Sequence, residues 1–210
     1  SLLLGLMIGS FLNVVIHRLP VMIRIEWQKE SFSLASEFLE DPEEKKLLRN
    51  KMVPDESVYN LAFPSSQCPM CGKRIRYRHN IPLIGFFFLR GRCFDCKMKI
   101  NLRYPFVEFL SALFTFLCIN EFGWTLHGAS AVLLSYALIS LACIDYESGL
   151  LPDSITIPFI WVGLIFNYFE AITSFEQAFW GAFFGYLILW AVYQGFKLLT
   201  KKEGMGFGDF

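Results

Sequence analysis

The 210-residue chain carries no excess charge of either sign: 19 Lys and Arg balance 19 Asp and Glu. It contains no His-Glu-x-x-His stretch and no Gly-x-Ser-x-Gly stretch, which removes the zincin metalloproteases and the nucleophile-elbow serine hydrolases. It also has no Gly-x-Gly-x-x-Gly fingerprint, so no nucleotide-type cofactor pocket can be placed. Its three histidines, His17, His79 and His127, are scattered, and a solvated role is the default for each. Internal repeats and low-complexity tracts are absent. No small-residue cleavage site follows the apolar N-terminus, which ends in Asn13, His17 and Arg18, so a removable signal peptide is not expected. No nucleic-acid partner is expected.

What is there is apolar. Hydrophobic residues make up 54% of the chain and aromatics 17%, too much for a soluble domain once the charges are seen to cluster. Of the 19 basic residues, 16 lie between His17 and Arg103, together with 10 acids, a balance of about +6. The other three are Lys197, Lys201 and Lys202. The expected fold is therefore an all-α polytopic membrane protein with a small cytoplasmic domain. Residues 1–16 read as a first transmembrane helix, with Gly5, Gly9 and Ser10 for close packing and Asn13 facing another helix. At about 24 Å that stretch falls short of the roughly 30 Å hydrocarbon core, so the span is expected to be truncated and the chain a fragment. Residues 17–103 form the polar domain, with a surface helix expected within Ser33–Met52. Residues 104–210 hold about four more spans, near Phe106–Asn120, Gly128–Ile144, Ile155–Ala171 and Ala178–Leu199. The positive-inside rule places 17–103 in the cytoplasm. The Glu121–His127 and Ile172–Gln177 loops, without Lys or Arg, then fall outside. Asp145 and the Lys197–Lys202 end return to the cytoplasm.

Cys68-x-x-Cys71 and Cys93-x-x-Cys96 are two knuckles separated by 21 residues. Their spacing matches a closed structural zinc site of four thiolates. A thiol-redox pair or plain buried cysteines are the competing readings, and a cytoplasmic setting disfavours disulfides. Cys118 and Cys143 have no partner at ligand spacing and read as packing residues.

Two acids lie where a membrane protein has no comfortable structural use for them. Asp145 follows the apolar end of a span, where burial and the negative end of the helix dipole both work against an ionised carboxylate. A general acid needs that condition. Asp209 ends the glycine ladder Gly204-Met205-Gly206-Phe207-Gly208, whose backbone is free to leave helical geometry. By the basic-residue count both acids emerge on the cytoplasmic face, as a proton-sharing aspartic-protease pair requires. Intramembrane acids also line transport pathways, so that alternative stays open on the residues alone. Glu147 reads as a solvated loop residue, and Asp153, before Ser154 and an apolar run, as an ordinary helix N-cap.

Asp145 with Leu151-Pro152-Asp153, and Gly204 to Asp209, resemble the two active-site motifs of the type IV prepilin peptidases, leader peptidase/N-methyltransferases within the GxGD membrane aspartic proteases. The stretch from Gly9-Ser10-Phe11-Leu12-Asn13 to His17-Arg18-Leu19-Pro20 is similar to the family's N-terminal signature. Tyr59-Asn60-Leu61, the four cysteines, Asn80-Ile81-Pro82, Arg90-Gly91-Arg92-Cys93 and Arg103-Tyr104-Pro105-Phe106-Val107-Glu108 resemble its cytoplasmic domain. The resemblance implies an inner-membrane enzyme of about eight spans. Such an enzyme cleaves the basic leader of type IV prepilins or pseudopilins after a glycine, and in many members methylates the new N-terminus from S-adenosylmethionine. It implies Asp145 and Asp209 as the catalytic pair and Cys68, Cys71, Cys93 and Cys96 as metal ligands. Gly91 and Arg92 stand where many bifunctional members have Gly-Lys, and are the cofactor-binding candidates. Setting the resemblance aside, the residues also allow a non-enzymatic zinc-ribbon membrane component of a secretion or transport system.

Overall fold

The computed structural model describes residues 1–52, 59–170 and 172–201. Among these the chain is helical, with two isolated β-bridges and no strand. The helices are α1 (Leu2–Glu37), α2 (Pro42–Met52), α3 (Ile84–Phe88), α4 (Arg103–Phe122), α5 (Leu126–Ser148), α6 (Asp153–Tyr168) and α7 (Phe175–Thr200), with a single 3-10 turn at Tyr77–His79. Four of them, α1, α4, α5 and α7, are long and apolar enough to cross a membrane. The chain divides into two compact units: Ser1–Leu12 with Phe106 onward, and Asn13–Pro105.

Two expected boundaries shift. The first helix does not stop at Ile16 but continues to Glu37 through Pro20. Proline removes one backbone donor and kinks a helix, yet the residues after it, Val21 to Glu30, are competent to carry the helix on. The third apolar segment of the bundle, expected over Ile155–Ala171, is the 16-residue α6. At 1.5 Å per residue it measures about 24 Å, so it is apolar but shorter than the other spans. A left-handed Glu170 (φ 54°) closes the chain after it.

In the first unit the glycines of α1 meet α4 backbone to backbone. A Cβ on Gly5 would lie 2.6 Å from the Ala112 Cα, and one on Gly9 would lie 2.8 Å from the Glu108 Cα. This is the Gly-x-x-x-Gly contact that small residues permit in lipid, where apolar burial no longer drives association. Around it α4 buries Val107, Glu108, Ser111, Ala112 and Thr115, and Thr115 Oγ1 lies 2.6 Å from the Tyr136 hydroxyl of α5. Gly9→Leu is expected to cost about 1–3 kcal/mol, the usual range for forced overpacking. The check is a lowered thermal unfolding midpoint in detergent.

The second unit is anchored by Arg18, a basic residue of α1 that also belongs to the stretch resembling the family's N-terminal signature. Arg18 is 8% exposed, and its guanidinium donates to the carbonyls of Asn60 (2.8 Å), Leu61 (3.4 Å) and Pro64. It also lies 5.7 Å from the centre of the Tyr59 ring. One α1 side chain thereby fixes the turn that leads into the cysteine module. Asn13, expected to face another helix, donates through Nδ2 to the Tyr104 carbonyl at 3.0 Å. Arg18→Ala would take a charged donor from three carbonyls of the turn, and a loss of about 1.5–3 kcal/mol follows from charged hydrogen-bond energetics. Arg18→Lys should recover only part of this, because an ammonium cannot span the same carbonyls as the planar fork. Faster protease cleavage after Met52 would report both losses.

Candidate functional site

The two cysteine knuckles are built alike. In each, the N–H of the first cysteine donates to the carbonyl five residues on, Cys68 to Lys73 at 3.0 Å and Cys93 to Met98 at 2.8 Å. The residue four on donates back to the first cysteine's carbonyl, Gly72 at 2.9 Å and Lys97 at 3.1 Å. Those closing residues both take positive φ, 66° and 60°, as a chain must to turn back that tightly. A single antiparallel bridge flanks each knuckle, Gln67 with Arg74 and Arg92 with Lys99.

The turns bring Cys68, Cys71, Cys93 and Cys96 together, with all four sulfurs within 4.8 Å of one another. Four thiolates around a zinc-sized ion at about 2.3 Å define tetrahedron edges of about 3.8 Å; the Cys68–Cys96 sulfur pair lies at 3.7 Å. None of the cysteines is in a disulfide, and 3.7 Å is far beyond the S–S bond length of about 2.05 Å. The donor set and spacing fit one metal ion. Backbone N–H groups of Cys71 and Met70 hold the Cys68 thiol down to about 7. At Cys96 the Met98 N–H acts in the same direction, but burial and the neighbouring sulfurs prevail and raise the thiol to about 11. Close-packed thiols share protons in this uneven way, and a divalent cation supplies the charge that lets all four be thiolates. Lys73 bridges the two knuckles, its ammonium 3.1 Å from Asp95. That contact raises the Lys73 pKa, although so exposed a pair adds little to stability.

Gly91 and Arg92 sit at the entry to the second knuckle. Gly91 has φ 66°, and a Cβ there would stand 3.0 Å from the tip of the Phe86 ring. Packing therefore accounts for the glycine, and the space its side chain would need is filled. Arg92 is exposed and begins the knuckle.

Asp145 lies in the last turn of α5, not in the loop beyond it. The helix runs to Ser148 and closes on Gly149, whose left-handed backbone (φ 62°) lets its N–H donate to the Asp145 carbonyl at 2.8 Å. The carboxylate is exposed, so the expected burial does not hold. The adjacent Ile144 takes the fully buried position, and the next residue on a helix points about 100° away. Asp153 is not the N-cap. Pro152 occupies that place without a side-chain hydrogen bond, and Asp153 is the first residue of α6. The two acids therefore stand at opposite kinds of helix end. The dipole opposes a negative charge at Asp145 and favours one at Asp153. Asp209 and the glycine ladder before it lie outside the described residues.

Comparison with known proteins matches residues 3–122 to the Bacterial Peptidase A24 N-terminal domain and residues 132–210 to the Type IV leader peptidase family. A prepilin leader peptidase/N-methyltransferase of Stutzerimonas stutzeri is 47% identical over 210 residues, 100% of this chain and 68% of the relative. Its namesake in Pseudomonas aeruginosa is 43% identical over the same shares. That of Neisseria gonorrhoeae is 42% identical over 99% of this chain and 68% of its own. No solved structure matches.

Proposed function

Because the chain belongs to the type IV leader peptidase family, we propose that it is a membrane aspartic peptidase that removes the leader of type IV prepilins or pseudopilins and methylates the new N-terminus. The observation that carries this is the end-to-end similarity, 47% identity across all 210 residues, to a relative named for both activities. It agrees with a multi-pass helical protein bearing a four-cysteine cluster.

Asp145 and Asp209 are the pair assigned to peptide hydrolysis. One carboxylate takes a proton from water as the water attacks the scissile carbonyl, and the other, protonated, gives its proton to the leaving amine. Support for Asp145 comes from its place at a helix end where the dipole opposes a negative charge. Its exposure there is what contact with a substrate requires. The count of basic residues supports a cytoplasmic location for the cysteine unit and for both acids, in the bacterial inner membrane. This topology takes α6 as a short crossing, which a bilayer accommodates by local thinning. The substrate's apolar helix would then lie in the bilayer with its basic leader at the cytoplasmic face.

Zinc is the metal assigned to Cys68, Cys71, Cys93 and Cys96, in a structural role, since four thiolates leave no open position for chemistry. S-adenosylmethionine supplies the methyl group when bound. Arg92 is the residue we assign to its carboxylate, because the planar guanidinium fork suits that partner. Gly91, filled against Phe86, serves the fold. Arg92→Gln is expected to reduce methylation by about tenfold or more, the loss of one charged hydrogen bond, while cleavage stays near the parent rate. Parallel loss of both would assign Arg92 to folding. The function itself is tested by co-expressing the whole protein with a prepilin and following conversion of the precursor to the shorter form in membranes. A precursor that stays intact beside well-inserted protein contradicts the proposal.

A further inference from the structure

The cysteine unit pairs an unusual charge with an unusual exposed surface. Residues 66–105 contain nine Lys and Arg and a single acid, Asp95, so the stretch stays strongly positive even with a four-thiolate metal centre of net charge about −2. Within it, α3 is pressed onto the Tyr77–His79 turn, with a Cβ on Gly85 falling within 2.3 Å of the His79 carbonyl oxygen. That contact turns the other side of the helix outward: Ile84, Phe87 and Phe88 are 64%, 72% and 76% exposed. The His79 ring continues the surface, stacked 6.4 Å from Phe88 and tilted against Phe94 at 4.9 Å. Over Phe94 stand Arg76 at 4.7 Å and Lys97 at 5.3 Å. Single exposed apolar residues are ordinary. Three on one helical turn, joined through ring contacts to cations, form a single aromatic and basic face.

We propose that this face docks on an anionic phospholipid surface, with Phe87 and Phe88 at the acyl boundary and Arg76 and Lys97 among the phosphates. Aromatic rings with neighbouring Lys and Arg are the pattern that binds membrane interfaces. Charge decides against the other candidate occupant, a basic leader peptide, which this surface repels. The unit is also covalently continuous at both ends with helices able to span a membrane, so a bilayer surface is always within reach. Neither enzymatic activity is needed for the docking.

The test places p-benzoylphenylalanine at Phe87 in the whole protein, in nanodiscs of phosphatidylglycerol or of phosphatidylcholine, with the same probe at Leu47 of α2 as control. After irradiation, mass spectrometry should find phospholipid adducts at position 87 and few at 47. The yield should be at least about fivefold higher with phosphatidylglycerol, the effect of about one basic residue at an anionic surface. In Arg76→Gln/Lys97→Gln the preference should disappear while the protease pattern stays that of the parent; if the double variant unfolds, Arg76→Gln alone should halve it or more. Equal yields in the two lipids, adducts mainly to added prepilin or to the chain itself, or equal labelling at 47 would overturn the proposal.

Discussion

Asp145→Asn and Asp209→Asn, each made alone in the whole protein, should slow leader cleavage by about a thousandfold or more, since general acid–base catalysis by a positioned carboxylate contributes about 10²–10⁴. Asparagine keeps the shape and removes the proton chemistry, so the protein should insert and fold as the parent does. The double variant should be scarcely worse than either single one, because groups that work as a unit fail as a unit. Asp153→Asn provides the contrast. Its carboxylate sits in the first turn of α6, where it contributes a favourable dipole contact of about 0.3–1 kcal/mol, and cleavage should stay within a few-fold of the parent. If Asp153→Asn abolished cleavage and Asp145→Asn did not, the first acid of the pair would be Asp153.

Cys68→Ser or Cys93→Ser should release the metal and unfold the module around it. Across residues 59–103 only Cys68 and Gly85 are buried, so the segment has almost no hydrophobic core. Small units of this kind hold together through a metal or a disulfide, and none of the cysteines forms a disulfide. Structural zinc contributes about 10–16 kcal/mol of binding free energy to zinc-finger peptides, more than the stability of most whole domains. Serine is a far poorer ligand, and loss of one thiolate should take the metal stoichiometry from one per chain towards zero. Limited proteolysis should then cut between residues 59 and 103 while α4, α5 and α7 stay protected. A metal-free protein with the parent's protease pattern would show that the four sulfurs are merely packed.

Much of this arrangement is legible in the amino-acid sequence, for physical reasons that differ by element. The tetracysteine cluster was legible because ligand spacing is a local property: two x-x gaps fix the turns that bring the four sulfurs together. The spans were legible because hydrocarbon demands long apolar runs. The end of α1 was not, since Pro20 and the charges after Arg24 suggest a break that helical backbone can override. Nor was the short α6, because composition does not reveal where a left-handed Glu170 stops the chain. Arg18 was hidden among sixteen basic residues in its region. Its place inside an apolar run, where an arginine must find acceptors, is a physical clue beside its place in the N-terminal signature. The exposure of Asp145 is a matter of helical phase: Ile144 and Asp145 are neighbours in sequence but face different ways. The aromatic surface of α3 was missed as well, because Ile84 to Phe88 reads equally as buried core until Gly85 is seen against the His79 carbonyl.

The most direct test is the mass of the product when the purified whole protein, reconstituted in lipid, is incubated with a prepilin, with and without S-adenosylmethionine. A new species lighter by the leader alone is expected without the methyl donor. With it, the product should be heavier by one methyl group, and Asp145→Asn should yield neither. A prepilin that keeps its full mass in the presence of correctly inserted parent protein would contradict the assignment.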